Sequence, residues 1–258
     1  AVVVGGGPAG LMAAEVLASA GVEVHVYDAM PSVGRKFLLA GKGGLNLTHS
    51  EPPALFATRY GARQPQIEPL LQSFGATELR AWAQSLGVDT FVGTSGRVFP
   101  TDLKAAPLLR AWLHRLRAAG VQFHMRHRWI GWSEPGAKSD NGALTFATPH
   151  DPNPVSVQAE AVVLALGGAS WARLGSDGAW VSLLGARGVP IAPLQPANCG
   201  FEVGSAGRTS WTEHFKSRFA GQPFKSVAIA FTDSQGRSFH RKGEFVATAT
   251  GVEGSLVY

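Results

Sequence analysis

The sequence contains very little cysteine: Cys199 is the single cysteine among 258 residues. One thiol cannot form a disulfide within the chain, and no Cys-x-x-Cys pair exists for thiol–disulfide exchange. This excludes the chemistry of disulfide reductases, which depends on a pair of cysteines. So little cysteine is typical of proteins kept in a reducing compartment, and we therefore expect a cytoplasmic location.

Long apolar segments and metal-ligand patterns are missing too. The apolar first twenty residues contain Glu15 and lack a basic leader, which argues against a signal peptide. No other stretch is long and apolar enough to span a bilayer, and neither a His-Glu-x-x-His motif nor a Gly-x-Ser-x-Gly elbow occurs. His124 and His127 are predicted to point to opposite faces of one strand. We therefore expect no membrane partner and no metal site.

Acidic residues are fewer than basic ones, which gives a net charge of +5 and a pI of about 9.7. Lys and Arg are dispersed along the chain, and their clusters are as short as His240-Arg241-Lys242. This pattern predicts a solvated basic surface that attracts anionic ligands, and we expect no nucleic-acid partner.

Glycine, in contrast, is abundant, with 32 residues, and the first of them form a turn. A short apolar strand, Ala1 to Val4, leads into the G-x-G-x-x-G turn of residues 5–10. A helical run over residues 11–20 follows, and a second strand over residues 22–27 ends at Asp28. Strand, glycine turn, helix, strand and acidic residue in this order are typical of a domain that binds an adenine dinucleotide.

Each part of this unit has a physical role. Gly5 permits the tight turn, Gly7 leaves room for a pyrophosphate against the backbone, and Gly10 allows the helix to pack on the sheet. The Asp28 carboxylate can accept hydrogen bonds from both ribose hydroxyls. A 2′-phosphate would repel this carboxylate, so NADP is excluded here while FAD and NAD remain.

The middle of the chain favours FAD. Short strands are predicted at residues 121–125, 129–132, 144–147 and 155–157, before a continuous apolar run, Ala161 to Leu166. We expect this run to be a fully buried parallel strand. In FAD enzymes that resemble glutathione reductase and p-hydroxybenzoate hydroxylase, an antiparallel meander similarly precedes the fourth parallel strand.

These patterns predict an α/β fold in two parts. A Rossmann-like FAD-binding domain of the glutathione-reductase type, with a central parallel sheet and an antiparallel β-meander, should occupy residues 1–190. Residues 191–258 should begin an inserted, mainly β substrate or cap domain. Within the first part we predict a connector over residues 51–65 and two helices capped by Thr77 and Asp102, with Trp82 and Trp112 in the core.

Six motifs spread over the chain resemble the bacterial BaiN/RdsA-type (YhiN-like) FAD-dependent oxidoreductases, a family related to aminoacetone oxidase. They are residues 5–10, 34–38, 41–48, 96–100 and 165–170, and residues 243–245 with 250–252. The resemblance implies that the FAD domain is incomplete here and that a C-terminal segment beyond Tyr258 completes it. The chain departs from most relatives at Gly44-Leu45, where they have Arg-Cys, and at Leu166, where they have Thr.

The resemblance also implies a cofactor site. Arg35 and Lys36 would lie beside the ribose and phosphates, the Trp129 backbone beside the adenine, and residues 43–46 beside the isoalloxazine. Lys42 either stabilises negative charge on the reduced flavin or is a solvated surface lysine. No catalytic residue is assigned. The complete set of cofactor-binding residues predicted is Gly5, Gly7, Pro8, Ala9, Gly10, Asp28, Ala29, Arg35, Lys36, Gly41, Lys42, Gly43, Asn46, Trp129, Ala165 and Gly167.

We therefore expect a flavin-dependent oxidoreductase that carries a hydride on tightly bound FAD. The family resemblance implies an NAD(P)H-linked reductase of a small organic substrate, with NAD(P)H binding transiently because the sequence has no second G-x-G-x-x-G. Two alternatives stay open: a flavin-dependent RNA-modifying protein, and a flavin- or nucleotide-binding sensor without catalysis.

Overall fold

The structure, a computed structural model, describes residues 1–40, 44–133, 142–204 and 211–258. The chain divides into two compact units, Ala1–Ile191 and Ala192–Tyr258. The strands are β1 Val2–Val4, β2 His25–Asp28, β3 Thr48–His49, β4 Thr90–Val92, β5 Arg97–Pro100, β6 Gln122–Met125, β7 Arg128–Trp132, β8 Leu144–Ala147, β9 Val155–Val157, β10 Val162–Leu164, β11 Phe201–Glu202, β12 Pro223–Thr232, β13 Ser238–Ala247 and β14 Gly251–Glu253. The helices are α1 Pro8–Ser19, α2 Arg35–Ala40, α3 Pro53–Thr58, α4 Gln64–Ser73, α5 Ala76–Ser85, α6 Ala105–Ala118, α7 Trp180–Gly185 and α8 Glu213–Phe219.

A parallel sheet with the strand order β10-β1-β2-β6 is the centre of the first unit. Val3 is completely buried and pairs with Val26 on one side and with Val163 on the other. Apolar β-branched residues suit such a central strand because both of its faces are covered. The carboxyl ends of β1, β2 and β10 therefore meet at one edge of the sheet.

The apolar run before Gly167 does form a parallel strand, but the prediction that it is fully buried is wrong. Val162 is 40% exposed and Leu164 is 37% exposed. The reason is its position: within the described ranges β10 pairs with β1 alone and is an edge strand of the sheet.

Helices α1 and α6 pack with the sheet in one hydrophobic core. Leu11 and Ala14 from α1 are fully buried against Val26 of the sheet, and α6 contributes Leu116 and Trp112. Gly10 and Ala14 lie on the same face of α1 because residues four apart are neighbours on a helix.

Strands β7, β8 and β9 form a separate antiparallel sheet between β6 and β10. Phe146 of β8 is fully buried and stacks on Tyr27 of the parallel sheet, with ring centroids 4.4 Å apart. The α/β class and the meander before the fourth parallel strand are thus confirmed. One detail differs: β6, predicted next to the meander strands, belongs to the parallel sheet.

The segment predicted as a connector over residues 51–65 contains helix α3 and the first residues of α4. Proline does not prevent these helices, because Pro53 and Pro65 lie in their first turns, where a backbone N–H would have no helical partner. The predicted helix caps are also wrong. Helix α5 begins one residue before Thr77, and Glu78 accepts a hydrogen bond from the Gly75 N–H. Asp102 accepts one from the N–H of Lys104, the residue immediately before α6, so Lys104 and not Asp102 is at the cap position.

The prediction for His124 and His127 is wrong as well. Their ring centroids are 6.0 Å apart, and both rings contact Tyr27. The strand ends at Met125, and Arg126 adopts a left-handed conformation with φ of 60°. This turn brings His127 back to the side of the sheet that carries His124. Across the described ranges, no three His, Cys, Asp or Glu side chains are grouped so that they could hold a metal ion.

The second unit contains an antiparallel sheet with the strand order β11-β14-β13-β12 and helix α8. Strands β12 and β13 are ten residues each. Phe224 and Phe245 stack across them with centroids 5.0 Å apart, and Thr212 caps α8. In the parts of the chain that the structure describes, no helix has both the length and the apolar character needed to cross a membrane.

Candidate functional site

A cavity of about 550 Å³ opens where the parallel strands β1, β2 and β10 end. The glycine turn of residues 5–9 lines one part of it, together with Asp28, Arg35 and Lys36. We call this part the glycine-turn end. The other part, which we call the aromatic end, is lined by Met12, Phe37, Leu79, Trp82 and Trp112.

At Gly5 and Gly10 the glycine turn approaches backbone oxygen atoms so closely that a side chain cannot be accommodated. A Cβ on Gly5 would lie 2.3 Å from the Ala165 carbonyl oxygen, and φ of Gly5 is +108°. A Cβ on Gly10 would lie 1.8 Å from the Gly5 carbonyl oxygen. Around Gly7, in contrast, no atom lies within 4 Å of an added Cβ, so its surface is open to the cavity.

Asp28 is fixed by the turn itself. Its Oδ2 accepts a hydrogen bond from the Gly6 N–H at 2.7 Å, and its Oδ1 accepts one from the Met30 N–H at 2.7 Å. Burial raises the pKa of the Asp28 carboxyl, although these two N–H groups and the charges of Arg35 and Arg128 act to lower it. Each carboxylate oxygen keeps a further lone pair, so Asp28 can accept hydrogen bonds from a ligand.

Arg35 and Lys36 begin helix α2 beside this carboxylate. The Arg35 Nε is buried and has no hydrogen-bond partner among the described residues. The Lys36 Nζ donates to the Ser170 Oγ at 2.7 Å and so joins α2 to the loop after β10. A buried guanidinium nitrogen without a partner costs free energy, and an anionic ligand would satisfy it.

A second, smaller cavity of about 80 Å³ lies on the other side of Asp28. Ala29 and Trp129 line it, together with His127 and Asp177. The Trp129 side chain is buried, and its Nε1 has no hydrogen-bond partner among the described residues. At the edge of this smaller cavity, the Asp177 carboxylate accepts a hydrogen bond from the Arg128 guanidinium at 2.8 Å.

The structure brings most of the predicted site residues together. Those that line the larger cavity are Gly5, Gly7, Pro8, Ala9, Asp28, Arg35, Lys36, Asn46, Ala165 and Gly167. Ala29 and Trp129 line the smaller one, and Gly10 is buried behind the turn. The predictions for Gly41, Lys42 and Gly43 fall outside the described residues.

Sequence reasoning missed the aromatic end. It assigned Trp82 and Trp112 to the core, which fits Trp112 at 2% exposed but not the half-buried Trp82 on the cavity wall. One signal was present in the sequence: Glu15 is the single charged residue of the otherwise apolar helix α1. A carboxylate there requires polar partners, and Trp and Arg side chains three to four residues apart on α6 can provide them.

The comparison with protein families agrees with this architecture. A family model described as the HI0933-like protein Rossmann domain matches residues 1–257. The chain belongs to this family. The resemblance to BaiN/RdsA-type oxidoreductases is confirmed by this match and by a curated relative, a 3-dehydro-bile acid delta(4,6)-reductase from Clostridium scindens. That relative is 27% identical over 99% of this chain, and the chain spans 58% of the relative's length.

Solved structures share the fold at low sequence identity. The open conformation of a flavocytochrome c3 fumarate reductase superposes with a TM-score of 0.54 and 16% identity. The match covers 90% of this chain and 46% of the other. At this identity the likeness concerns the fold alone, and it agrees with the Rossmann-like sheet and meander of the first unit.

Proposed function

We propose that this protein is an FAD-dependent oxidoreductase. The observation that carries the proposal is the glycine-turn end of the larger cavity. There, an open glycine surface, an oriented carboxylate and a guanidinium whose buried Nε has no partner among the described residues lie side by side where parallel strands end. Open α/β sheets bind their ligands outside the carboxyl ends of the strands, at such a crevice.

The residues present fit an adenine dinucleotide. The N-terminus of α1 carries unpaired backbone N–H groups and a partial positive charge, which suit a pyrophosphate next to Gly7. Asp28 would accept hydrogen bonds from the ribose hydroxyls, and the orphaned Arg35 Nε would donate to a phosphate oxygen. The smaller cavity, beside Ala29 and Trp129, is the proposed position of the adenine.

The meander supports FAD over NAD, because plain strand–helix repeats would be expected to continue an NAD domain. When bound, the isoalloxazine ring supplies the chemistry of hydride transfer. The chain itself orients the dinucleotide, through the turn and Asp28, and excludes water with its apolar cavity wall. Asn46 lines the same cavity and offers an amide that can donate or accept a hydrogen bond.

A reductase activity is proposed from the relatives. The Clostridium scindens relative is named as a reductase of a bile acid derivative, which supports a small organic substrate here as well. As electron donor we propose NAD(P)H, which the family resemblance implies. We also propose that residues 1–190 are the FAD-binding part and that residues 191–258 begin a substrate or cap domain.

Two measurements on the full-length protein test the proposal. The purified protein should show a flavin absorbance spectrum, and anaerobic NADH or NADPH should bleach it. A colourless protein that added FAD does not protect against unfolding would contradict the central claim. Flavin that neither reduced nicotinamide bleaches would instead support a binding protein without reductase activity.

A further inference from the structure

The aromatic end of the larger cavity differs chemically from the glycine-turn end. Its wall is formed by Met12 of α1, Phe37 of α2, and Leu79 and Trp82 of α5, with Trp112 of α6 behind them. The Trp82 and Trp112 rings meet edge to face, 4.7 Å apart at 81°. Phe37 contacts Trp112 in the same manner at 6.5 Å.

The polar atoms of both tryptophans are occupied. The indole N–H of Trp82 donates to the Glu15 Oε2 at 3.0 Å, and that of Trp112 donates to the same oxygen at 2.6 Å. The other oxygen, Oε1, accepts from Arg115 at 2.9 Å. The Glu15 side chain is only 14% exposed, so these are charge-assisted bonds in a largely dry place.

This arrangement fixes the wall in two ways. Each indole ring is held at its N–H, so neither ring can turn without leaving a buried donor unpaired. Because its donor faces Glu15, the half-buried Trp82 offers a ligand carbon surface only, and the buried Trp112 supports it from behind. Preorganised aromatic surface binds flat apolar groups well, since little side-chain entropy is lost on binding.

We propose that the aromatic end is a binding site for a flat apolar ring system and that Glu15 is its positioning residue, acting through Trp82 and Trp112. The proposal rests on the proposed function, because it assigns the dinucleotide to the adjoining glycine-turn end. Two sources can supply such a ring: the isoalloxazine of the flavin itself, or the hydrocarbon frame of the substrate. Both present a flat ring face to the wall, and a competition experiment decides which of the two binds there.

The test uses the full-length protein, freed of flavin, and calorimetric titration with three probes. ADP-ribose reports on the glycine-turn end, while riboflavin and 2-naphthol report on the aromatic end. Glu15→Ala should weaken the binding of at least one ring probe roughly three- to tenfold, the size expected from lost aromatic contacts. ADP-ribose affinity should stay within about twofold, a change of about 0.4 kcal/mol. A merely structural role would instead move all three affinities together, and that outcome would overturn the proposal.

Three further variants keep the test decisive if Glu15→Ala does not fold. Glu15→Gln retains an acceptor for the indoles and should restore most of the ring-probe affinity. Trp82→Phe removes one indole from the wall and should weaken ring binding, while Glu15 keeps its bonds to Trp112 and Arg115. Trp132→Phe, in the meander and away from this cavity, should leave ring binding unchanged. Ring affinities that are equal in the wild type and Trp82→Phe would overturn the proposal.

Competition then identifies the source of the ring. If FAD excludes 2-naphthol, the wall receives the isoalloxazine; if 2-naphthol binds the FAD-loaded protein, the wall receives the substrate. Both outcomes support the site. Failure of ADP-ribose to bind would contradict the proposed function, whereas normal ADP-ribose binding with no ring binding would contradict this inference alone.

Discussion

The glycine-turn end and the aromatic end of one cavity are built from different parts of the chain. Most of the glycine-turn end is formed by residues that are close in sequence: residues 5–10 form the turn, and Asp28 is the last residue of the next strand, β2. At the aromatic end, Glu15, Trp82 and Trp112 come from three helices that are distant in sequence. The first end depends on backbone geometry and the second on side-chain contacts, so substitutions should affect them differently.

The largest expected effect concerns the backbone contact behind the turn. In Gly10→Ala the new Cβ would lie 1.8 Å from the Gly5 carbonyl oxygen, which a rotamer change cannot relieve. We expect a loss of about 3 kcal/mol in the free energy of unfolding, the upper part of the range for overpacked cores. Urea denaturation measures it.

Gly7→Ala is the matched control for this variant. Its Cβ meets no atom within 4 Å, so the free energy of unfolding should change little while ADP-ribose binding weakens. Equal stability losses in the two variants would show that the contact behind the turn does not matter.

The next largest effect concerns Asp28. Asp28→Ala removes the proposed ribose acceptor and leaves the Gly6 and Met30 N–H groups without their partner. We expect FAD binding to weaken by roughly 1.5–3 kcal/mol, the scale of hydrogen bonds to charged groups. Calorimetric titration with FAD measures this, with the exposed Asp102→Ala as control. Unchanged flavin affinity would remove Asp28 from the site.

A smaller effect is expected for Arg35. Arg35→Met keeps a long apolar stem but removes the buried Nε that has no partner in the described protein. ADP-ribose binding should weaken by about 1 kcal/mol, whereas the ligand-free protein should be equally or more stable, because an unsatisfied polar group is gone. Destabilisation of the ligand-free protein, seen by thermal unfolding, would mean that Arg35 serves the fold rather than a ligand.

The smallest effect is a pH dependence. Because the pKa of Asp28 is raised in the folded state, Asp28 stabilises the ligand-free protein below the ordinary carboxyl pKa. This contribution is lost as the pH rises through the raised pKa. Ribose hydroxyls that donate hydrogen bonds need the carboxylate, so ADP-ribose affinity should fall as the pH falls through the same pKa. Titrations from about pH 7 downward, at pH values above the ordinary carboxyl pKa, should show the beginning of this fall in the wild type, but not in Asp28→Ala.

The two ends also differ in how far the sequence predicts them. The strand–turn–helix of residues 1–20 is predictable because its interactions are local and its glycines have few alternative roles. The aromatic end is not, because a tryptophan on an apolar helix face looks the same whether it lies in the core or on a cavity wall. The exposure of β10 could not be predicted because it depends on which strands pair. The position of His127 could not be predicted either, because it depends on the left-handed conformation of a single residue, Arg126.

The unpaired Nε of Arg35 has a consequence for the amount of folded protein in a cell. A ligand that satisfies this group binds the folded chain and not the unfolded one, so it raises the folded fraction by mass action. If the ligand is FAD, the amount of folded protein would follow the supply of flavin. Chains made during flavin shortage would unfold more often and be degraded sooner, which would couple the abundance of the protein to vitamin availability.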